Sequence, residues 1–323
     1  MSQYPINKHL PNASKLAYGC MGLGGGWNDN PLSSENIKQA RSVIDTALEA
    51  GINVFDHADI YTFNKAEKAF GEALKQSPSL RESMYIQSKC GIRFEDESGP
   101  GRYDFSADWV TQSVNGILKR LYTDKIDVLF LHRPDPLVEL DELATALSTL
   151  RNDGKFDFLG VSNMNHHQIN FLQSALDMPI VSNQVEMSLA KLDWLNEGVM
   201  VGTPGYQNIS HSSGTLEYCR LNGIQLQAWG SLAQGMFSEA GLRSDKENVR
   251  ETAEYIATLC EKYQVPSEAI VLAFLLRHPA KIQPVIGTSN LERIKACALA
   301  THVTLTREEW YSLFVKARGH ALP

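Results

Sequence analysis

The sequence predicts an α/β protein of the (β/α)8 (TIM) barrel class, built as one domain over residues 1–323. Two observations carry that prediction. Short apolar segments alternate with longer amphipathic ones along the chain, which requires parallel strands joined by crossover helices. The alternation also repeats eight times, which suits a closed barrel better than an open, doubly wound sheet; the open sheet stays as the alternative. No linker or shift in composition marks a domain boundary, and no sequence self-similarity accompanies the repeat.

The first strand is expected over 15–18, followed by a glycine-rich loop through Gly26. Ser33-Ser34-Glu35 opens a helix to about residue 50, with Val43, Ile44, Ala47 and Leu48 at helical spacing and Gly51 as its stop. Strand two covers 52–56, and a helix follows over about 65–75. Strand three covers 84–88 and ends at Lys89. The loop 91–105 is rich in Gly, Pro and charge, and a helix over 108–121 follows, with Val110, Val114, Ile117, Leu118 and Leu121 on one face. Strand four is 126–131, ending at His132, and its helix is 140–152, broken by Asp153-Gly154. Strand five is 156–161, with Ser162-Asn163 after it and a helix from 165 to about 175. Strand six is 180–183, ending at Gln184. Residues 186–213 read as one long irregular stretch with Gly198, Gly202, Pro204 and Gly205. A helix over 215–222 and strand seven over 224–228 lead to Trp229. Helices over 248–263 and 267–277, strand eight over 283–286 and helices over 291–300 and 307–317 complete the pattern.

Apolar residues make up 43% of the chain and aromatics 9%, enough to bury a sizeable core. The net charge of −7 disfavours nucleic acid as a partner, because phosphate binding needs basic patches. No run of eighteen apolar residues occurs, so no transmembrane helix and no membrane partner are expected. Met1-Ser2-Gln3-Tyr4-Pro5 lacks a basic segment followed by an apolar one, so no signal peptide is expected. Five scattered cysteines without a CxxC imply reduced thiols in a cytoplasmic protein. No Cys/His cluster has metal-ligand spacing, so no metal is expected.

A barrel places its chemistry at the C-terminal ends of its strands. Asp56, Lys89, His132, Ser162-Asn163, Gln184, Trp229 and Thr288-Ser289 stand there. Asp56 and Tyr61, five residues apart, are either a catalytic pair or a strand-ending Asp and a half-buried Tyr. Lys89 alone reads equally as a solvated rim residue, and His132-Arg133-Pro134 as a loop histidine fixed by its neighbours. Together the four fit a proton-donor site. A free tyrosine has a pKa of about 10. A lysine ammonium beside its oxygen is expected to lower that pKa, a carboxylate to hold the lysine charged, and a histidine to donate to a substrate carbonyl.

Phe55-Asp56-His57-Ala58-Asp59-Ile60-Tyr61, Ser88-Lys89, Leu131-His132, Gly160-Val161-Ser162-Asn163, Asn183-Gln184, Ala228-Trp229-Gly230-Ser231-Leu232 and Gly287-Thr288-Ser289-Asn290-Leu291-Glu292-Arg293 occur in that order. This set, over about residues 15–300, resembles the aldo-keto reductase family. The resemblance implies a (β/α)8 barrel that binds NADP(H) extended across its mouth, without a Rossmann fold, and reduces aldehydes or ketones. It implies Tyr61 as proton donor, Lys89 as the group that tunes it, Asp56 as partner of Lys89, and His132 as the residue that orients the carbonyl. Hydride then comes from the nicotinamide ring.

The resemblance also assigns cofactor contacts, with Asp56 bordering them. Ser162, Asn163 and Gln184 are similar to the trio that hydrogen-bonds the nicotinamide carboxamide, whose donors and acceptors Asn and Gln can match. Trp229 matches the aromatic that stacks on the nicotinamide. Gly230, Ser231 and Leu232 match the pyrophosphate segment, and Met21 and Gly22 the loop on the ribose side. Gly287, Thr288, Ser289 and Arg293 resemble the 2′-phosphate site, with the permanently charged fork of Arg and a helix start favouring NADP over NAD. Some members carry Lys in place of Gly287 and Asn in place of Cys297.

Gly24-Gly25-Gly26 is not a phosphate cradle, since no GxGxxG opens a helix; it reads as a turn that lets Trp27 reach the substrate pocket. Trp27 and Phe63 are expected as apolar walls for a small carbonyl substrate facing His132, with Phe94 or Tyr103 as additions. His57 and Asp59 carry no assignment. The stretch 186–213 covers part of the mouth, forms an interface, or is an exposed insertion. The short segment after the last helix implies a relatively open pocket, and the chain is expected as a monomer or weak homo-oligomer. A reading of another class is a non-catalytic NADP-binding regulatory subunit resembling channel β subunits. A third, a barrel isomerase or lyase with a Schiff base on Lys89, is opposed by the aromatic platform and the Asn/Gln set.

Overall fold

The computed structural model describes residues 3–323. Its strands are β1 (Ala17–Gly19), β2 (Val54–Asp56), β3 (Tyr85–Cys90), β4 (Ile92–Arg93), β5 (Arg102–Tyr103), β6 (Ile126–Leu131), β7 (Phe156–Ser162), β8 (Ile180–Glu186), β9 (Gln225–Trp229) and β10 (Gln283–Ile286). Eight of them form a closed barrel in the order β1-β2-β3-β6-β7-β8-β9-β10, and every ladder is parallel. β4 and β5 make a separate antiparallel ribbon above the barrel, within the stretch that reads as an irregular loop. Arg93 bridges Asp96 and Asp104, and Arg102 meets Asp96, so ion pairs hold a ribbon that has little core.

The helices are α1 (Ser34–Glu49), α2 (Lys65–Gln76), α3 (Ala107–Leu121), α4 (Leu140–Asn152), α5 (His166–Gln173), α6 (Asp193–Val199), α7 (Thr215–Asn222), α8 (Glu247–Tyr263), α9 (Ser267–Leu276), α10 (Leu291–Ala298) and α11 (Arg307–Arg318). Local chemistry sets their ends. Ser33 caps α1 by accepting from the Asn36 amide at 3.2 Å, and Ser106 caps α3 through the Trp109 amide. α1 buries Ala40, Val43, Ile44 and Ala47, and α3 buries Val110, Val114, Ile117 and Leu121. α9 buries every residue from Ala269 to Leu275, because α8, α10 and the stacked Trp310 of α11 cover it from outside.

The strands outrun their expected ends. β3 extends through Lys89 and Cys90, β7 through Ser162, β8 through Glu186 and β9 through Trp229. The reason is that ladder hydrogen bonds belong to the backbone and continue beneath polar side chains; Ser162 pairs with Gln184, and Gln184 with Gln227. The stretch 186–213 is also not wholly irregular. It holds α6, whose Trp194 is buried against Phe274 and His278. None of its residues lines the mouth cavity.

Strand alternation separates two cores. Phe55, Ile86, Leu129, Leu131, Leu226 and Ile286 face the helices. Their neighbours of opposite parity face the barrel axis. At the bottom the N-terminal turn Pro5–Lys8 closes the barrel: Ile6 and Leu10 pack on Val128, Phe130 and Val181. The Ile6 amide donates to the buried Gln225 Oε1 at 3.4 Å.

Candidate active site

The inward parity that puts Val54 and Tyr85 low in the barrel puts Asp56 two residues above Val54 and Lys89 four above Tyr85, at its upper end. Lys89 is fully buried. Its Nζ donates to both Asp56 oxygens at 2.7 Å, to the His57 carbonyl at 2.9 Å and to Tyr61 Oη at 3.0 Å. An ammonium has three protons, and all have acceptors here. The Tyr61 ring lies edge-on to His132 with centroids 6.1 Å apart, and both line the mouth. Asp56, Tyr61, Lys89 and His132 thus converge from three strand ends and one loop.

Charge states follow from burial and neighbours. Burial is the largest influence on Lys89 and pushes its pKa down, yet Asp56 and Tyr61 together outweigh it and leave it raised. Tyr61 departs from the expected direction. Burial raises its pKa, and the opposing pull of Lys89, which sequence reasoning put first, is the smaller effect. The phenol therefore stays protonated, available as an acid. His132 is pushed down to about 2, first by burial and then by the charges of Lys89 and Arg133. Its ring is neutral, and its buried Nδ1 has no partner among the described residues.

Below the tetrad lies a layer that sequence reasoning missed. Gln87 donates to Asp56 Oδ1 at 2.5 Å and to Gln227 Oε1 at 2.9 Å; Gln227 donates back to Gln87 and onward to Gln283, each at 2.9 Å. All three are buried. The signal was parity: Gln87 stands two residues before Lys89, and Gln227 two before Trp229, so each points at the axis. The layer fixes the Asp56 carboxylate from beneath and satisfies polar groups that would otherwise be costly to bury.

Tyr61 is delivered by an unusual turn. Thr62, Phe63 and Asn64 are consecutive left-handed residues with φ of 47°, 57° and 66°. Such a conformation costs roughly 1–2 kcal/mol per non-glycine residue. Side-chain bonds hold it: Thr62 Oγ1 donates to the Leu23 carbonyl at 3.0 Å, and the Asn64 amide to the Asp59 carbonyl. The Trp27 loop packs beside this turn. Gly24 sits at φ +80° with its missing Cβ only 2.5 Å from the Lys65 backbone, so glycine is required there. Lys65 Nζ then ties Asn28 and Asn30 to α2.

The mouth is a cavity of about 710 Å³. Met21, Trp27, Asp56, Tyr61, His132, Ser162, Asn163, Gln184, Trp229, Gly230, Ser231, Leu232, Gly287, Thr288 and Arg293 all line it. Gly22, Phe63 and Ser289 do not. Phe63 instead supports Trp27 edge-on at 5.4 Å and meets Phe94 at the same distance, forming an exposed aromatic rim. The Trp229 indole donates to Asn163 Oδ1 at 3.0 Å, and Asn163 donates to Ser162 Oγ at 2.9 Å. Gln184 directs its NH2 down to Asp56 and Gln227. At α10, Asn290 accepts from the Glu292 and Arg293 amides, so two donors expected for a phosphate are already capped. Glu268, unanticipated from sequence, lines the same side with Oε1 3.5 Å from Arg293 Nε.

The two unassigned motif residues lie behind the tetrad. His57 is fully buried against Phe70 with neither ring nitrogen partnered among the described residues, and burial pushes its pKa down to about 3. Asp59 is buried too. Burial, then nearby Glu67, pushes it up to about 8, although Arg120 opposes the shift. Glu67 itself accepts from Ser88 and from Arg120, each at 2.6 Å.

Comparison with known proteins places this geometry. The model of the aldo/keto reductase family matches residues 15–314. The chain is 35% identical to a 6-dehydroglucose reductase of Agrobacterium fabrum over 95% of each chain. It is 34% identical to the oxidoreductase YdhF of Escherichia coli, over 89% of this chain and 90% of that one. Two solved structures share the fold. The glycerol dehydrogenase of Gluconobacter oxydans superposes with a TM-score of 0.74 at 23% identity, covering 96% and 93% of the two chains. An aldo-keto reductase of Klebsiella pneumoniae in complex with NADPH does so with a TM-score of 0.72 at 21% identity, covering 96% and 92%. With the barrel, the ordered motifs and the family match over residues 15–314 in agreement, this chain belongs to the aldo-keto reductase family.

Proposed function

We propose that the protein reduces aldehyde or ketone carbonyls to alcohols with NADPH. The observation that carries this reading is the buried relay Asp56–Lys89–Tyr61 opening on the mouth beside neutral His132. The donor set suits a nicotinamide cofactor. Gln184 has spent its NH2 on protein acceptors and keeps its carbonyl oxygen, Asn163 keeps an N–H, and Trp229 offers a ring held in place by Asn163. Ser162, Asn163, Gln184 and Trp229 would hold the nicotinamide end. Met21, Gly22, Gly230, Ser231 and Leu232 would follow the ribose and pyrophosphate, and Gly287, Thr288, Ser289 and Arg293 the 2′-phosphate. When bound, NADPH supplies the hydride. A relative of known structure was solved with NADPH, and a 35% identical one is named a reductase, which supports the same cofactor and direction.

The chain's own residues manage the proton. Substrate oxygen accepts from His132 and Tyr61, and Tyr61 Oη passes its proton to that oxygen as negative charge develops there. Lys89, 3.0 Å away, stabilises the phenolate that remains. Asp56 keeps Lys89 charged and aimed. Lys89 is an unsuitable Schiff-base nucleophile, since it is fully buried with every proton engaged.

The test is NADPH oxidation, followed by absorbance with a panel of aldehydes, dicarbonyls and quinones. The native chain should turn over at least one, and Tyr61→Phe should lose nearly all turnover while NADPH affinity holds. A Tyr61→Phe variant with native rates would refute the proton-donor role. NADPH binding without any turnover would refute the reductase reading.

A further inference from the structure

Three of the four carboxyl and guanidinium side chains lining the mouth are answered within the protein. Asp56 is paired with Lys89, and Glu268 with Arg293. Arg133 is not. It is partly buried, lines the cavity, and has no hydrogen-bond or ion-pair partner among the described residues. The carboxylate next along the loop, Asp135, is committed elsewhere: its oxygens accept from the Phe105 and Leu137 amides, each at 2.8 Å. Pro134 between them and Pro136 just beyond stiffen the segment. A partly desolvated guanidinium without a partner is unfavourable until a ligand answers it.

Position identifies which ligand. Arg133 directly follows His132, and its charge joins that of Lys89 in opposing protonation of that imidazole. It therefore stands near the point where a carbonyl would meet Tyr61 and His132. It stands far from the Gly287–Thr288–Arg293 side. Around the ring of eight strands, β6, which leads to Arg133, lies four places from β10, directly across the barrel. A phosphate of the cofactor on the β10 side is thus not the partner of Arg133.

We propose that Arg133 is a substrate-specificity residue that selects carbonyl compounds bearing an oxyanion, a carboxylate or a phosphate, a few bonds from the carbonyl. The proposal rests on the carbonyl-reductase reading above. A planar guanidinium binds such groups through two parallel hydrogen bonds. Trp27 and Ile60 line the cavity and supply apolar wall for the carbons between the two polar ends.

Matched substrate pairs isolate the charge: succinic semialdehyde against butyraldehyde, and glyceraldehyde 3-phosphate against glyceraldehyde, each with NADPH. The charged member of at least one pair should show kcat/KM roughly tenfold or more above its neutral mate. The responding pair tells carboxylate from phosphate. In Arg133→Gln that ratio should collapse towards one, chiefly through KM, and Arg133→Lys should recover part of it. NADPH affinity, read by fluorescence quenching, should be retained. The same ratio in native protein and Arg133→Gln, a native preference for the neutral mates, or a parallel loss of NADPH affinity would overturn the proposal.

A second measurement separates this proposal from the reading beneath it. Succinate and inorganic phosphate are titrated calorimetrically into the full chain saturated with NADP, with succinamide as neutral control. Binding of either anion that Arg133→Gln abolishes, in a protein that reduces no carbonyl, supports the oxyanion site and defeats the reductase reading. Carbonyl turnover with neither charge preference nor anion binding defeats the oxyanion site and leaves the reductase reading intact.

Discussion

At the scale of one residue, Glu268 bears on the 2′-phosphate contact proposed for Arg293. Its carboxylate lies 3.5 Å from the Arg293 guanidinium. A 2′-phosphate approaching Arg293 would meet an existing negative charge. The pair is partly exposed, so solvent screening limits the effect. Glu268→Gln should tighten NADPH binding roughly two- to fivefold and leave NADH nearly unchanged, as measured by fluorescence titration of both cofactors. If NADPH binding weakens instead, Glu268 serves to aim Arg293 rather than to compete for it. Tyr61 carries the complementary lesson. Its acidity is not a property of its charged neighbour alone, since burial outweighs Lys89 and keeps the phenol protonated.

At the scale of an element, the turn between β2 and α2 concentrates strain beside the proposed acid. Three successive left-handed residues persist only because their surroundings over-determine them. Thr62 is the least favourable of them, being β-branched, and its hydroxyl joins the turn to the loop that carries Trp27. Thr62→Val retains the shape and removes that bond. It should lower stability by about 1–2 kcal/mol through the unpaired Leu23 carbonyl, read as a shifted urea midpoint at unchanged slope. A midpoint within error of the native one would show that packing alone holds the turn.

At the scale of the whole molecule, buried titrating groups set the pH of greatest stability. Asp59 ionises at about 8 in the folded chain and at about 4 when unfolded. Its folded pKa is raised, so its contribution is full at low pH and is lost as pH rises to about 8. His57, His132 and His278 are lowered by burial to about 3, 2 and 4 respectively, against about 6.5 unfolded. Their contribution is present above 6.5 and is lost as pH falls below it. Between pH 6.5 and 8 only the first effect operates among these four, so the thermal midpoint should fall over that interval. Asp59→Asn should flatten the fall. An Asp59→Asn protein with the native slope would show that Asp59 is ionised in the folded state.

The sequence alone determined the barrel, because eight apolar segments separated by amphipathic ones leave few other ways to bury both. It also named Asp56, Tyr61, Lys89 and His132 as candidates, since strand ends share one rim; the fold lines the mouth with three of them and buries Lys89 beneath. Tertiary structure decided what depends on distance and burial. The glutamine layer under Asp56 became visible only when parity was resolved across strands far apart in the chain. Phe63 moved from wall to support because its backbone is left-handed, which no local pattern announces. Helix α6 was hidden among glycines and a proline, and its buried Trp194 and Glu197 anchor it. Glu268 facing Arg293, and Arg133 without a hydrogen-bond or ion-pair partner among the described residues, are facts of spatial pairing. Residue types set which charges exist; the fold sets which of them remain for a ligand to answer.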